Sequence, residues 1–235
     1  MKTIGLLGGM SFESTLEYYR LINLLIKQKL GGSHSAKILM YSFDYHELEV
    51  LLEQNRWDDI TELLVVQAKK LKDAGAELLV ICANTMHIVA DRVEHESGLE
   101  VIHIVKSTLS EINQLDLKHV ALLGTMYTME SPMYPTIFKT HHVEVLLPSK
   151  RDMAMIHRTI YQELILGQFK ESSRNRFLEV IEQLRLQGAE GVVLGCTEIP
   201  LLIQPEHLKG FPVLNTMHLH AIAAVEAALS KNHDL

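Results

Sequence analysis

Short runs of aliphatic and β-branched residues alternate along the chain with longer stretches whose apolar positions recur at helical spacing. In the first half the runs are TIGLLG, AKILMYS, ELLVIC and VIHIV. The helical patterns between them cover about Ser11 to Leu30, material down to about Asp73, and a segment starting near Asn84. The second half repeats the plan with HVALLG, VEVLLP, GVVLGC and PVLN. Unbroken Val/Ile/Leu runs predict strands buried on both faces, and helices between successive strands make the sheet parallel. The fold class is therefore α/β. The amphipathic stretch around Leu63–Leu71 reads as a core-facing helix.

An internal repeat refines this. IGLLGGM at 4–10 lies over VALLGTM at 120–126, with Leu6/Leu122, Leu7/Leu123, Gly8/Gly124 and Met10/Met126 identical. GAELLVICANT at 75–85 lies over GAEGVVLGCTE at 188–198, keeping the opening Gly-Ala-Glu and Val80/Val193. The offsets, 116 and 113 residues, are nearly equal. Two pseudo-symmetric, Rossmann-like parallel-sheet lobes are expected, one over residues 1–103 with 211–235 and one over 104–210. The closing segments FPVLNT and HLHAIAAVEAALS are expected to return to the first lobe.

The repeat separates the two cysteines. Under the 113-residue shift Cys196 corresponds to Ala83, and Cys82 corresponds to Gly195. Neighbouring side chains on a strand point to opposite faces. If Cys196 faces a cleft between the lobes, its counterpart is the methyl of Ala83, and Cys82 turns into packing as a small buried hydrophobe.

Hydrophobic residues make up 47% and charged residues 22%, with a net charge of −7 and no Lys/Arg cluster, so a nucleic-acid partner is not expected. An acidic ligand would be held by local donors. The N-terminus turns polar too soon for a secretory signal, and no run approaches a membrane span. Two cysteines suit a reducing compartment, and the cytoplasm is the expected location.

Four segments end a strand and begin a helix with small or hydroxyl residues: GGMS (8–11), ANT (83–85), GTMYT (124–128) and CTE (196–198). Ligands meet parallel sheets at the carboxyl ends of strands, and helix starts offer N–H groups to carboxylates. Helix capping is the commoner task of any one such residue; four in matched pairs favour a site. GLLGGM is not G-x-G-x-x-G, no P-loop lysine appears, and there is no H-E-x-x-H or C-x-x-C, so neither nucleotide cofactor nor metal is expected. His218 and His220, two apart on a helix, do not share a face. Cys196, at a strand end before a helix, is expected to have its thiolate favoured by the helix N-terminus.

MKTIGLLGGMSFEST, the C-A-N-T-M-H stretch, ALLGT-x-YTME, EL-x-LGQF and GCTEI, in this order over nearly the whole chain, resemble the aspartate/glutamate racemase family. The resemblance implies two α/β lobes with the active site in the cleft between them and no pyridoxal phosphate or metal. It implies two bases on opposite faces of the substrate Cα, typically cysteines, one directly before Asn-Thr and one in G-C-T-E. The second matches Cys196 and the first falls on Ala83, so the chain departs from the pattern there. Met10, Ser11, Ala83, Asn84, Thr85, Thr125, Thr197 and Glu198 are the implied substrate-binding residues. Where the family often reads Asp-Thr near the C-terminus, this chain has Asn215-Thr216 with His220. The expected activity is slow or one-directional racemisation of an acidic amino acid by a homodimer. Two alternatives stand beside it. One is a single-cysteine decarboxylase or isomerase of a small dicarboxylate, like arylmalonate decarboxylase of the wider superfamily. The other is a non-catalytic protein that binds an acidic amino acid.

Overall fold

The computed structural model describes residues 1–230. The chain forms two compact units: Met1–His103 together with the chain from His220 onward, and Ile104–Leu219.

In the first unit β1 (Ile4–Gly8) leads into α1 (Phe12–Leu30), and β2 (Ile38–Ser42) into α2 (Tyr45–Glu53) and α3 (Trp57–Asp73). β3 (Leu78–Ile81) leads into a 3-10 turn (Thr85–Val89), α4 (Ala90–Ser97) and the two-residue β4 (Glu100–Val101). All pairings are parallel, in the order β2-β1-β3-β4. Every residue of β1 and β3 is buried, as central strands covered on both faces must be, while the edge strand β2 is not. α3 buries Ile60, Leu64, Val65, Ala68 and Leu71, a stripe at three- and four-residue spacing.

The second unit runs through α5 (Ile104–Gln114), β5 (His119–Gly124), α6 (Met126–Glu130), α7 (Met133–Lys139), β6 (Glu144–Leu146) and α8 (Lys150–Gln162). It continues with α9 (Glu171–Leu186), β7 (Gly191–Gly195), α10 (Ile199–Leu202) and β8 (Val213–Asn215), and α11 (Thr216–Leu229) follows directly. The order β6-β5-β7-β8 repeats that of the first sheet. One face of this sheet packs Ala121, Leu123, Val192, Leu194 and Cys196 with residues of α8, α9 and α10. The other packs Val120, Leu122, Val193 and Leu214 with residues of α5 and α7.

The repeat persists in the strand register. Leu7 lies opposite Ile81 in the first sheet, and Leu123 opposite Leu194 in the second. These are the pairs that the two sequence offsets relate. By register, therefore, Ala83 and Cys196 occupy equivalent positions, each two residues beyond the paired strand residue.

Two expectations need correction. The PVLN segment does not return to the first unit: Val213, Leu214 and Asn215 pair with Val192, Val193 and Leu194 of β7. The free edge of β7 needs the partner that β3 has in β4, and Leu214 is buried on that sheet's second face. Only from His220, partway along α11, does the chain belong to the first unit. VIHIV is not one strand either. It is split between β4 and the start of α5, where Ile104 and Val105 are buried as helical residues.

Candidate active site

In the first unit the chain leaves β1 through Gly9, at φ 85°, where a Cβ would collide with the backbone of Phe43. The Gly9 N–H donates to Thr15 Oγ1 at 2.8 Å, and that hydroxyl donates to the Ser11 carbonyl at 2.8 Å. Ser11 Oγ accepts from the Ser14 N–H, capping α1. Met10 and Ser11 are both buried.

Beyond β3 the Ala83 N–H bonds back to the Ile81 carbonyl at 2.8 Å, turning the chain sharply around Cys82. Cys82 is fully buried and its thiol is pushed far up by desolvation, as for a structural cysteine. Ala83 and Asn84 are buried and Thr85 is half-buried. Asn84 precedes the 3-10 turn without a side-chain cap bond.

Under this turn lies a cluster that sequence reasoning missed. The His87 ring sits 5.0 Å from that of His103 and 5.2 Å from that of His220. The Tyr18 hydroxyl donates to His220 Nδ1 at 2.8 Å, so His220 Nε2 carries the proton it gives to the Ile102 carbonyl. Burial, reinforced for His87 by His103 and for His220 by His87, lowers each pKa to about 3. A histidine kept neutral when folded but protonated when unfolded costs stability as pH falls. The contribution is full above about 6.5 and is lost as pH drops toward 3. Denaturant unfolding below pH 6 is expected to show this loss, with His87→Phe removing up to about 1.4 kcal/mol per pH unit of the slope. An unchanged slope in that variant would contradict the assignment.

In the second unit Gly124 and Gly195 close the central strands. A Cβ on Gly124 would lie 2.8 Å from the Gly195 carbonyl oxygen, so the two strand ends meet only as glycines. Thr125 follows and caps α6 through the Thr128 N–H, and the Met126 N–H donates to His157 Nδ1 at 3.2 Å. Partial burial lowers the pKa of His157, keeping that acceptor available.

Cys196 stands directly after β7, 6% exposed, with Sγ donating to Glu198 Oε2 at 3.0 Å. Thr197 Oγ1 donates to the same oxygen at 3.0 Å, and both Thr197 and Glu198 are buried. This corrects the expectation of a thiolate favoured by a helix start. The helix that follows is a single turn, Ile199–Leu202, whereas burial and the adjacent carboxylate push the thiol pKa well above its ordinary value. The thiol is the resting form. Of the residues singled out in the sequence, Met10, Ser11, Ala83, Asn84 and Thr85 lie at strand ends of the first unit. Thr125, Cys196, Thr197 and Glu198 lie at those of the second. Ser11 and Thr125 are occupied as helix caps, and Glu198 is engaged by its two neighbours. His87, His103 and His220 are far apart in the chain, so no local spacing signals their cluster. Among the described residues no three His, Cys, Asp or Glu side chains are grouped to hold a metal ion.

The two parallel α/β units carry polar residues, and the second a thiol, at the carboxyl ends of their central strands, the place where ligands meet sheets of this class. The chain belongs to the Asp/Glu/hydantoin racemase family, whose model matches residues 7–224. A Yersinia pestis crystal structure provisionally described as an Asp/Glu racemase is 45% identical, with a TM-score of 0.91 over 98% of this chain and 100% of that one. An aspartate racemase homologue from Pyrococcus horikoshii is 31% identical, with a TM-score of 0.83 over 98% and 100%. The glutamate racemase of Staphylococcus epidermidis is 24% identical over 75% of this chain and 67% of its own length.

Proposed function

We propose that the protein is a cofactor-independent amino-acid racemase that moves the Cα proton of aspartate, glutamate or a close relative through Cys196. The observation that carries this reading is the Cys196–Glu198 pair at the end of β7 in a chain of the racemase family. The resting thiol is not a base. Glu198 Oε2, already accepting its hydrogen bond, can take the proton from Sγ and leave a thiolate that removes the proton from Cα. In reverse, the thiol delivers that proton. Asn84, Thr85, Thr125 and Thr197 are the proposed donors for the substrate carboxylates and for the charge that develops at Cα, and Met10 and Ser11 are proposed as further substrate-binding residues. Ala83, where the family places the other base, offers neither thiol nor hydroxyl. The second proton must then pass through water or a neighbour such as Thr85, making inversion slow relative to exchange on the Cys196 face.

Incubating single enantiomers of aspartate and glutamate without added cofactor, followed by chiral chromatography, tests the activity. The opposite enantiomer should accumulate slowly. Loss of CO2 from a dicarboxylate instead would favour the single-cysteine decarboxylase, a reading that the lone base at Cys196 also suits.

Glu198→Gln separates the role of the carboxylate from that of the thiol. Removing a charge that repels the thiolate should lower the Cys196 pKa, while Cα exchange slows because the proton acceptor is gone. Thiolate absorbance against pH, in a Cys82→Ala background, reads the first effect. An unchanged titration would contradict the pairing.

The exposed apolar residues Phe12, Leu16 and Tyr19, spaced four and three apart on α1, support a homodimer. Sedimentation equilibrium checks it against the chain mass of 26.6 kDa.

A further inference from the structure

His87 is bonded twice to the turn that carries Ala83, Asn84 and Thr85. Its backbone N–H donates to the Asn84 carbonyl at 3.0 Å, and its ring Nδ1 lies 2.7 Å from the Ala83 carbonyl oxygen. A carbonyl oxygen only accepts, so Nδ1 carries the proton. The Ala83 carbonyl belongs to the peptide group that joins Ala83 to Asn84, and a planar peptide turns as one body. A donor held on its oxygen therefore restrains ψ of Ala83 and φ of Asn84, the angles that relate this plane to the Ala83 methyl and the Asn84 side chain.

After β1 and β5, the Ser11 and Thr125 hydroxyls cap the helix that follows. Asn84 makes no such cap bond, and the turn after it is 3-10, with poorer hydrogen-bond geometry than an α-helix. The His87 ring is itself held in place, 2% exposed, between His103 and a His220 anchored at both nitrogens. Its Nε2 is buried without a hydrogen-bond partner among the described residues. An apolar side chain could fill the space without that cost, so what imidazole adds here is the Nδ1 bond.

We infer that His87 is a positioning residue for substrate binding: through the Ala83 carbonyl it sets the geometry in which Asn84 and Thr85 meet the carboxylate of an acidic amino acid. The inference rests on the reading of that turn given under Proposed function.

Two substitutions test it. In His87→Asn the amide nitrogen occupies the place of Nδ1 and can still donate to Ala83; in His87→Phe nothing can. His87→Leu replaces His87→Phe if the latter does not fold. Loss of one net hydrogen bond to the turn should raise KM for Cα exchange, or Kd for aspartate by calorimetry, about 3–10-fold in His87→Phe. kcat should change less, and His87→Asn should regain most of the affinity. Both variants lose ring packing and both should melt earlier, so a merely structural role would leave them alike in binding. Equal affinities for the two variants, or affinities equal to that of the parent, would overturn the inference. The Asn84 amide 15N shift, sensitive to the bond accepted by the preceding carbonyl, should move in His87→Phe and return in His87→Asn. That shift needs no ligand. If the parent binds no acidic amino acid, the functional reading fails separately, and an unmoved shift would still overturn the role of His87.

Discussion

Cys196→Ala is expected to abolish Cα proton exchange, lowering its rate by about 10²–10⁴-fold, the usual contribution of one acid–base group. Cys82→Ala should leave exchange close to that of the parent. The two thiols differ in what they touch, not merely in sequence. Cys196 Sγ donates to a carboxylate at 3.0 Å and stands beyond the end of a central strand. Among the described residues Cys82 makes a long contact to the Val80 carbonyl, and it is sealed in the core, where desolvation pushes its pKa further up. Its replacement by alanine removes one buried sulfur and should cost stability rather than rate. Exchange rates of the two variants, with thermal unfolding as a control, check this. Loss of exchange in Cys82→Ala with retention in Cys196→Ala would reverse the assignment.

Ala83→Cys is expected to accelerate racemisation by about 10²-fold or more, through the second base that the chain lacks. The strand registers make this position the equivalent of Cys196, since Leu7–Ile81 and Leu123–Leu194 are matching pairs. Added sulfur in a site only 7% exposed also needs room, so the gain is read against the melting temperature of the variant. Appearance of the opposite enantiomer should quicken more than exchange on the original face, because only inversion requires a donor on the second face. Equal acceleration of both would place the new thiol elsewhere in the reaction.

Much of this was legible in the residues. Unbroken runs such as ELLVIC and GVVLGC carried the parallel strands, and the paired offsets carried the duplication down to the equivalence of Ala83 with Cys196. What escaped was set by tertiary context. The two residues of β4 and the three of β8 are too short to show kinship with each other, so the sheet to which Val213–Asn215 adds could not be read. VIHIV illustrates the ambiguity of short apolar runs, which serve a strand end and a helix start alike. The state of Cys196 depended on where the Glu198 carboxylate folds back, and spacing alone favoured the opposite sign. The histidines were weighed as metal ligands, and His220 also as part of the family pattern near the C-terminus. Their packing under the 83–85 turn joins α1, the 3-10 turn, His103 and α11, segments far apart in the chain.

The most direct test of the central claim is proton NMR of the parent protein in D2O with each enantiomer of aspartate and glutamate in turn. The account predicts that the α-proton signal of at least one enantiomer disappears as solvent deuterium enters, faster than the opposite enantiomer accumulates, with no cofactor present. An acidic amino acid that binds yet keeps its α-proton indefinitely would contradict it, leaving a protein that holds such ligands without chemistry.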